Sequence, residues 1–161
     1  MGNFSLDRSK GKVSDIKQNI ENKKGELAQL EENKQKLLDA GTDIQGADID
    51  ENVQNQIMQE INRALEDNAE KGKELSDEMN EDAKDLEDLK QETQASMESN
   101  KTEREKLQEK QSVLDKIGLG GSLDDALTEL DDNMGDLTEF QESLIETERD
   151  MDETAKRLSM L

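Results

Sequence analysis

The chain has 161 residues and a formal net charge of −21, with 30% apolar and 39% charged residues, two Phe, and no Trp, Tyr, Pro, His or Cys. Without imidazole or thiol there is no ordinary zinc site, disulfide, haem or iron–sulfur ligation, and no Ser–His or Cys–His nucleophile. Large apolar side chains are too few for a compact globule, and so large an excess of carboxylates repels nucleic acid and anionic lipid.

Two classes survive those exclusions: a disordered polyelectrolyte, or long helices sharing narrow apolar seams. The lack of proline selects the second, since disordered acidic chains are usually rich in it and helix interiors reject it. The first helix is expected over about 5–40. Leu6, Val13, Ile20 and Leu27 recur every seven residues, with Ile16, Leu30 and Leu37 at the complementary spacing. Lys23 and Lys34 interrupt this seam, and Gly41 suits a left-handed helix end. "GTDIQGADID" then reads as a loop, in which Asp48 and Glu51 have the spacing of a capping box.

A second helix is expected over about 49–117, where Gly72 is the one glycine. Ile57, Ile61, Leu65, Leu75, Met79, Leu86, Leu89, Leu107, Leu114 and Ile117 keep helical spacing along it. The doubtful stretch is "SNKTERE", 99–105, where apolar residues vanish and Thr102 with Glu105 offers a fresh cap. An uninterrupted helix is the reading taken, because Met79, Leu86, Thr93, Asn100, Leu107 and Leu114 hold one phase across it. Unbroken, it would span about 100 Å at 1.5 Å per residue.

"GLGG", 118–121, marks the next turn, with Gly118 at the position after the helix and Leu119 beside it. Ser122 and Asp125 again have capping-box spacing, opening a helix over about 122–160. Leu123, Leu130, Leu137, Leu144, Met151 and Leu158 place an apolar residue at every seventh position, flanked by Leu127, Met134 and Ala155. This is a coiled-coil stripe. Residues 122–148 nevertheless carry ten acids and no base, so that stretch needs a basic counterpart elsewhere.

Lengths and charges supply one. The middle helix is about as long as both others together, so the arms are expected to fold back over its opposite ends. Lys10, Lys12, Lys17, Lys23 and Lys24 would meet the acidic stretch 66–82. Lys101, Arg104, Lys106, Lys110 and Lys116 would meet the acidic opening of the last helix. Asn100 would face Gln141 as a polar layer that sets register. Exposed pairs contribute only about 0.2–1 kcal/mol each, so charge chooses the partner while leucine burial supplies stability. The expected fold is all-α: an elongated antiparallel coiled coil of two helical hairpins sharing a long central helix, one module over 1–161.

No residue is singled out for catalysis, for a cofactor or for a metal. "DIDEN" and "DDNMGD" miss the EF-hand spacing: counted from Asp48, the sixth position is Val53 and the twelfth Gln59. "GLGG" lacks the Lys-Ser/Thr of a phosphate loop. The interaction candidates are the seam residues Leu123, Leu130, Leu137, Leu144, Met151 and Leu158, with Asn100 and Gln141. The expected partner is a protein bound helix on helix, or a second copy, without nucleic acid or membrane insertion. The alternatives are a coiled-coil spacer or oligomeric scaffold and, more remotely, an acidic nucleic-acid mimic. No apolar run is long enough for a leader core or a membrane span, so synthesis in the cytoplasm is expected, with export compatible only without a cleaved leader.

With its leaderless start "MGNFSLD", absence of Cys and long acidic amphipathic helices, the chain resembles the all-helical proteins of the bacterial type VII secretion system. The likeness is nearest to the small helical partners and N-terminal targeting regions of LXG-type toxins. Phe4 and Asp7 loosely echo a Phe–acid motif of that group. Its W-x-G turn and its Tyr-containing export signal have no counterpart in a chain without Trp or Tyr. The resemblance implies helix-on-helix association with a toxin or chaperone, and no catalysis.

Overall fold

The computed structural model describes residues 4–161. Among them are three α-helices, α1 (Leu6–Gln45), α2 (Glu51–Lys116) and α3 (Asp124–Ser159), a single 3-10 turn at Gly120–Leu123, and no strand. The chain is all-α. The helix α2 runs through 99–105 unbroken for 66 residues. Thr102 does not cap a new helix there; its hydroxyl donates to the Glu98 carbonyl one turn back (3.0 Å).

The first expected boundary is wrong. Gly41 does not end α1 but lies buried inside it, with Met58 Cε 3.6 Å from where a Cβ would stand, an ordinary van der Waals distance. The helix continues to Gln45, where the Gln54 amide of α2 donates to the last carbonyls, Ile44 O (3.1 Å) and Gln45 O (3.3 Å). Those acceptors would otherwise be left orphaned at the helix end.

The contacts divide the chain into two units. One joins Asp15–Ala83 to Arg149–Leu161; the other joins the start of α1, through Ser14, to Lys84–Glu148. In the former, α1 and α2 run antiparallel: Asn19 Nδ2 donates to Asp82 Oδ2 (3.4 Å), Lys23 pairs with Glu78 (3.6 Å), and Asn68 Nδ2 donates to Leu30 O (2.9 Å). Lys23 thus meets Glu78 within the acidic stretch 66–82 expected to face it. The end of α3 runs parallel to α1, with Lys24–Asp150 (2.5 Å), Glu31–Arg157 and Lys34 Nζ–Met160 O (2.7 Å) all 126 residues apart.

Those last contacts add an overlap that was not expected: the end of α3 reaches a part of α2 that α1 also covers. Around Gly72 both arms lie on α2. A Cβ at Gly72 would stand 2.6 Å from Leu161 Cδ1 and 3.1 Å from Leu158 O, so glycine lets the end of α3 close in. Arithmetic requires some overlap: arms of 40 and 36 residues exceed the 66 of α2.

In the other unit α2 and α3 run antiparallel, with Lys90–Glu148 (3.1 Å), Arg104–Asp131 (2.7 Å) and Gln111 Nε2–Asp124 Oδ1 (2.9 Å). Ser9 and Val13 of α1 are buried there. Each unit thus holds two antiparallel helical stretches and a short third segment. The core follows that third segment. Ile16, Ile20, Leu27, Leu75, Met79, Met151, Thr154 and Leu158 are buried in one unit, and Val13, Leu86, Leu89, Thr93, Leu137, Phe140, Leu144 and Thr147 in the other.

Candidate interaction surfaces

Both turns are built alike, and both gather exposed apolar side chains. At the α1–α2 turn the amide of Gln54 binds the end of α1. At the α2–α3 turn the amide of Gln111 binds Gly120 O (3.0 Å) and Asp124 Oδ1 (2.9 Å). The expected capping boxes, Asp48 with Glu51 and Ser122 with Asp125, make no side-chain cap bond among the described residues; these two glutamines tie the turns instead. Nothing in sequence spacing marks a glutamine for this task, since its partner carbonyls are defined only once the turn has closed.

The α2–α3 turn follows the expected glycine ending. Gly118 has φ +84°, the Gly118 N–H donates to Asp115 O (3.2 Å), and the Leu119 N–H donates to Leu114 O (2.8 Å). This pair of bonds is the Schellman arrangement. It turns Leu119 outward, beside Val113 and Ile117. Their exposures, 56%, 61% and 65%, are the largest among the big apolar residues apart from Met160. Near the other turn Leu38, Ile49 and Val53 are exposed, and between Lys36 and Arg63 six acids stand without a base.

The seam candidates divide by position. Leu130, Leu137, Leu144, Met151 and Leu158 are buried, while Leu123, at the turn, is only half-buried. Beside them the structure buries Phe140, Thr147 and Thr154, where the expected flank was Leu127, Met134 and Ala155, all half-buried. Thr93, Thr147 and Thr154 satisfy their hydroxyls on the carbonyl four residues back (2.6, 2.8 and 2.8 Å). They fill the seam as small, internally satisfied groups. Thr93 lies on the phase expected along α2, but Thr147 and Thr154 carry no signal on a hydrophobic pattern.

Asn100 is buried, with its Oδ1 unpartnered, and Gln141 is half-buried with its Oε1 unpartnered. The two do not form one layer. Gln141 lines a shallow hollow with Gln91, Gln94, Ala95 and Glu98 of α2, and Asn100 is not among its lining residues. The ion pairs set by Arg104 and Lys90 place Gln141 opposite that earlier turn of α2.

Electrostatics follow the helix-to-helix ion pairs. A hydrogen bond to Asp150 holds the Lys24 ammonium above its ordinary pKa, one to Glu148 does so for Lys90, and one to Glu31 raises the Arg157 guanidinium. Arg104 lies with Nε 2.7 Å from Asp131 Oδ1, but that N–H is not aimed along the contact. The hydrogen bond of the pair runs from Nη2 to Oδ2 (3.3 Å). No group of His, Cys, Asp or Glu among the described residues is arranged to hold a metal ion. No helix among them is long and apolar enough to cross a membrane.

No protein-family model, no curated protein and no solved structure matches this chain.

Proposed function

We propose that the chain is a non-catalytic helical module for protein–protein interaction, whose two hairpins pack as antiparallel coiled coils sharing α2. What supports this reading most is one observation: Val113, Ile117 and Leu119 are each more than half exposed on a turn that hydrogen bonds hold in one conformation. Exposed large apolar groups gathered on an ordered element mark contact surfaces. An acidic all-helical chain of this kind fits a partner, or an N-terminal targeting region, of a type VII-secreted toxin. That role requires helix-on-helix contact and no reaction.

The test is co-expression with the products of adjacent reading frames, read by light scattering on the purified complex. A complex with a neighbour-encoded toxin or chaperone that weakens at least tenfold for Val113→Ser/Ile117→Ser supports the reading. A chain that binds none of them counts against it. The second reading, an oligomeric scaffold, draws on the exposed apolar groups lying at both turns and predicts self-association without any partner. A nucleic-acid mimic would have to compete with DNA for a basic protein. The internal pairing of Lys24, Lys90, Arg104 and Arg157 disfavours it, because part of the acidic surface is already answered within the chain.

A further inference from the structure

Two exposed stripes at opposite ends of α2 read as complements. Near its start, Val53, Gln56 and Glu60 are spaced by three and four residues, which puts them along one helix face, with Ile49 in the turn just before it. Near its end, Lys106, Lys110, Val113 and Ile117 have the same spacing in the reverse order. Laid antiparallel, the stripes match Ile49 with Ile117, Val53 with Val113, Gln56 with Lys110 and Glu60 with Lys106. All eight side chains are exposed. The four apolar ones carry exposures of 39% (Ile49), 46% (Val53), 61% (Val113) and 65% (Ile117). Among the described residues Glu60, Lys106 and Lys110 form no ion pair, whereas the lysines and arginine nearer the core, Lys24, Lys90 and Arg104, all do.

We propose that these stripes dock on one another between two copies of the chain. This rests on the reading of the protein as a helical interaction module and names a second copy as one of its partners. Charge complementarity selects that occupant. The first stripe lies in the segment of six acids and no base between Lys36 and Arg63. The second carries two lysines on its face in a chain of net charge −21. A partner for the lysine-bearing stripe must offer apolar groups beside a carboxylate at this spacing, and the chain's own first turn offers them. Each contact is small, about 16 Å of helix on each side at 1.5 Å per residue. It falls below the size of a stable interface, so association is weak and concentration-dependent. Salt screens the general repulsion between acidic copies over about 8 Å at physiological ionic strength, while Glu60 and Lys106, in contact, lie within that length and keep part of their attraction.

The experiment is sedimentation equilibrium of the full chain in about 0.3 M NaCl, chosen so that screening is short-ranged. The weight-average mass of the native protein is expected to rise above the monomer's 18.2 kDa between roughly 10 μM and 1 mM. Glu60→Lys sets lysine against Lys106, and Lys106→Glu sets glutamate against Glu60, so each alone associates about three- to tenfold more weakly. Mixing the two variants sets the introduced lysine of one against the introduced glutamate of the other and restores association toward the native level. Both positions are exposed, so circular dichroism and Tm are expected to stay unchanged, which separates docking from folding. A native mass constant at the monomer value, or a mixture no tighter than its separate components, overturns the proposal. Binding of a neighbour-encoded partner by such a strict monomer would leave the module reading standing while this inference fell.

Discussion

One seven-residue pattern, running from the 3-10 turn into α3, meets two settings. At the turn end Leu123, in the 3-10 turn, is half-buried and Leu130 keeps 9% of its surface, while further along α3 Leu144 keeps 1%, Met151 4% and Leu158 2%. The residues are equivalent in type and phase, so propensity does not separate them. What separates them is the number of neighbours in cross-section. At each turn two helices face each other and leave a side open to water; elsewhere in each unit a third segment closes that side. The same contrast appears on α2, where Leu75, Leu86 and Thr93 are buried but Leu107 and Leu114 are not. A repeated stripe thus marks which face turns inward, and the count of surrounding helices sets how much water it loses.

Mutation can break or sharpen this contrast. Leu144→Ala is expected to cost about 2–5 kcal/mol by opening a cavity among packed neighbours. Leu114→Ala, where water already reaches the side chain, is expected to cost about 1 kcal/mol or less, since little burial is lost. Urea denaturation of both variants checks this; equal costs would show that the third segment adds no burial. Gln54→Ala and Gln111→Ala are each expected to lose about 1 kcal/mol, the usual net worth of a hydrogen bond. Hydrogen exchange should quicken mainly at the altered turn while the core near Leu144 stays protected.

Gly135 tests the opposite sign. It lies within α3, and a Cβ added there meets nothing within 4 Å. Gly135→Ala is therefore expected to stabilise by about 0.8–1 kcal/mol through helix propensity, read as a raised denaturation midpoint. Gly118→Ala, at φ +84°, is expected to destabilise by about 1 kcal/mol, because only glycine adopts that backbone without strain.

The smallest effect concerns the ion pairs of α3. Lys24 and Lys90 have folded pKa values raised above the ordinary 10.5 by their hydrogen bonds to Asp150 and Glu148. A raised base holds its proton more tightly when folded, so its contribution is complete below about 10.5 and fades as pH climbs through the folded value. Both pairs are half-buried and remain screened by water, so the loss is slight. Thermal melts from pH 9 to 11.5 should show Lys24→Gln flattening the decline of Tm relative to the native chain. A parallel decline in both would remove Lys24 from the account.

Much of the helical layout was legible in the residues. The second helix was expected over 49–117 and is found at Glu51–Lys116, and the third was expected over 122–160 and is found at Asp124–Ser159. Gly118 ends a helix as its position implies, because the required left-handed backbone is a local property of that residue. Gly41 misled for the same reason in reverse. Glycine permits a left-handed turn without requiring one, and α1 continues through Gly41 to Gln45.

The seven-residue spacing and the lack of proline determined by themselves that this chain forms long helices and which of their faces seek cover, since those properties arise within a few turns of backbone. Tertiary structure alone decided the register of α1 on α2, the laying of the end of α3 beside α1, and the burial of Thr93, Thr147 and Thr154. Those outcomes come from many exposed pairs of about 0.2–1 kcal/mol summed over long seams, where neighbouring registers differ little until all the helices meet.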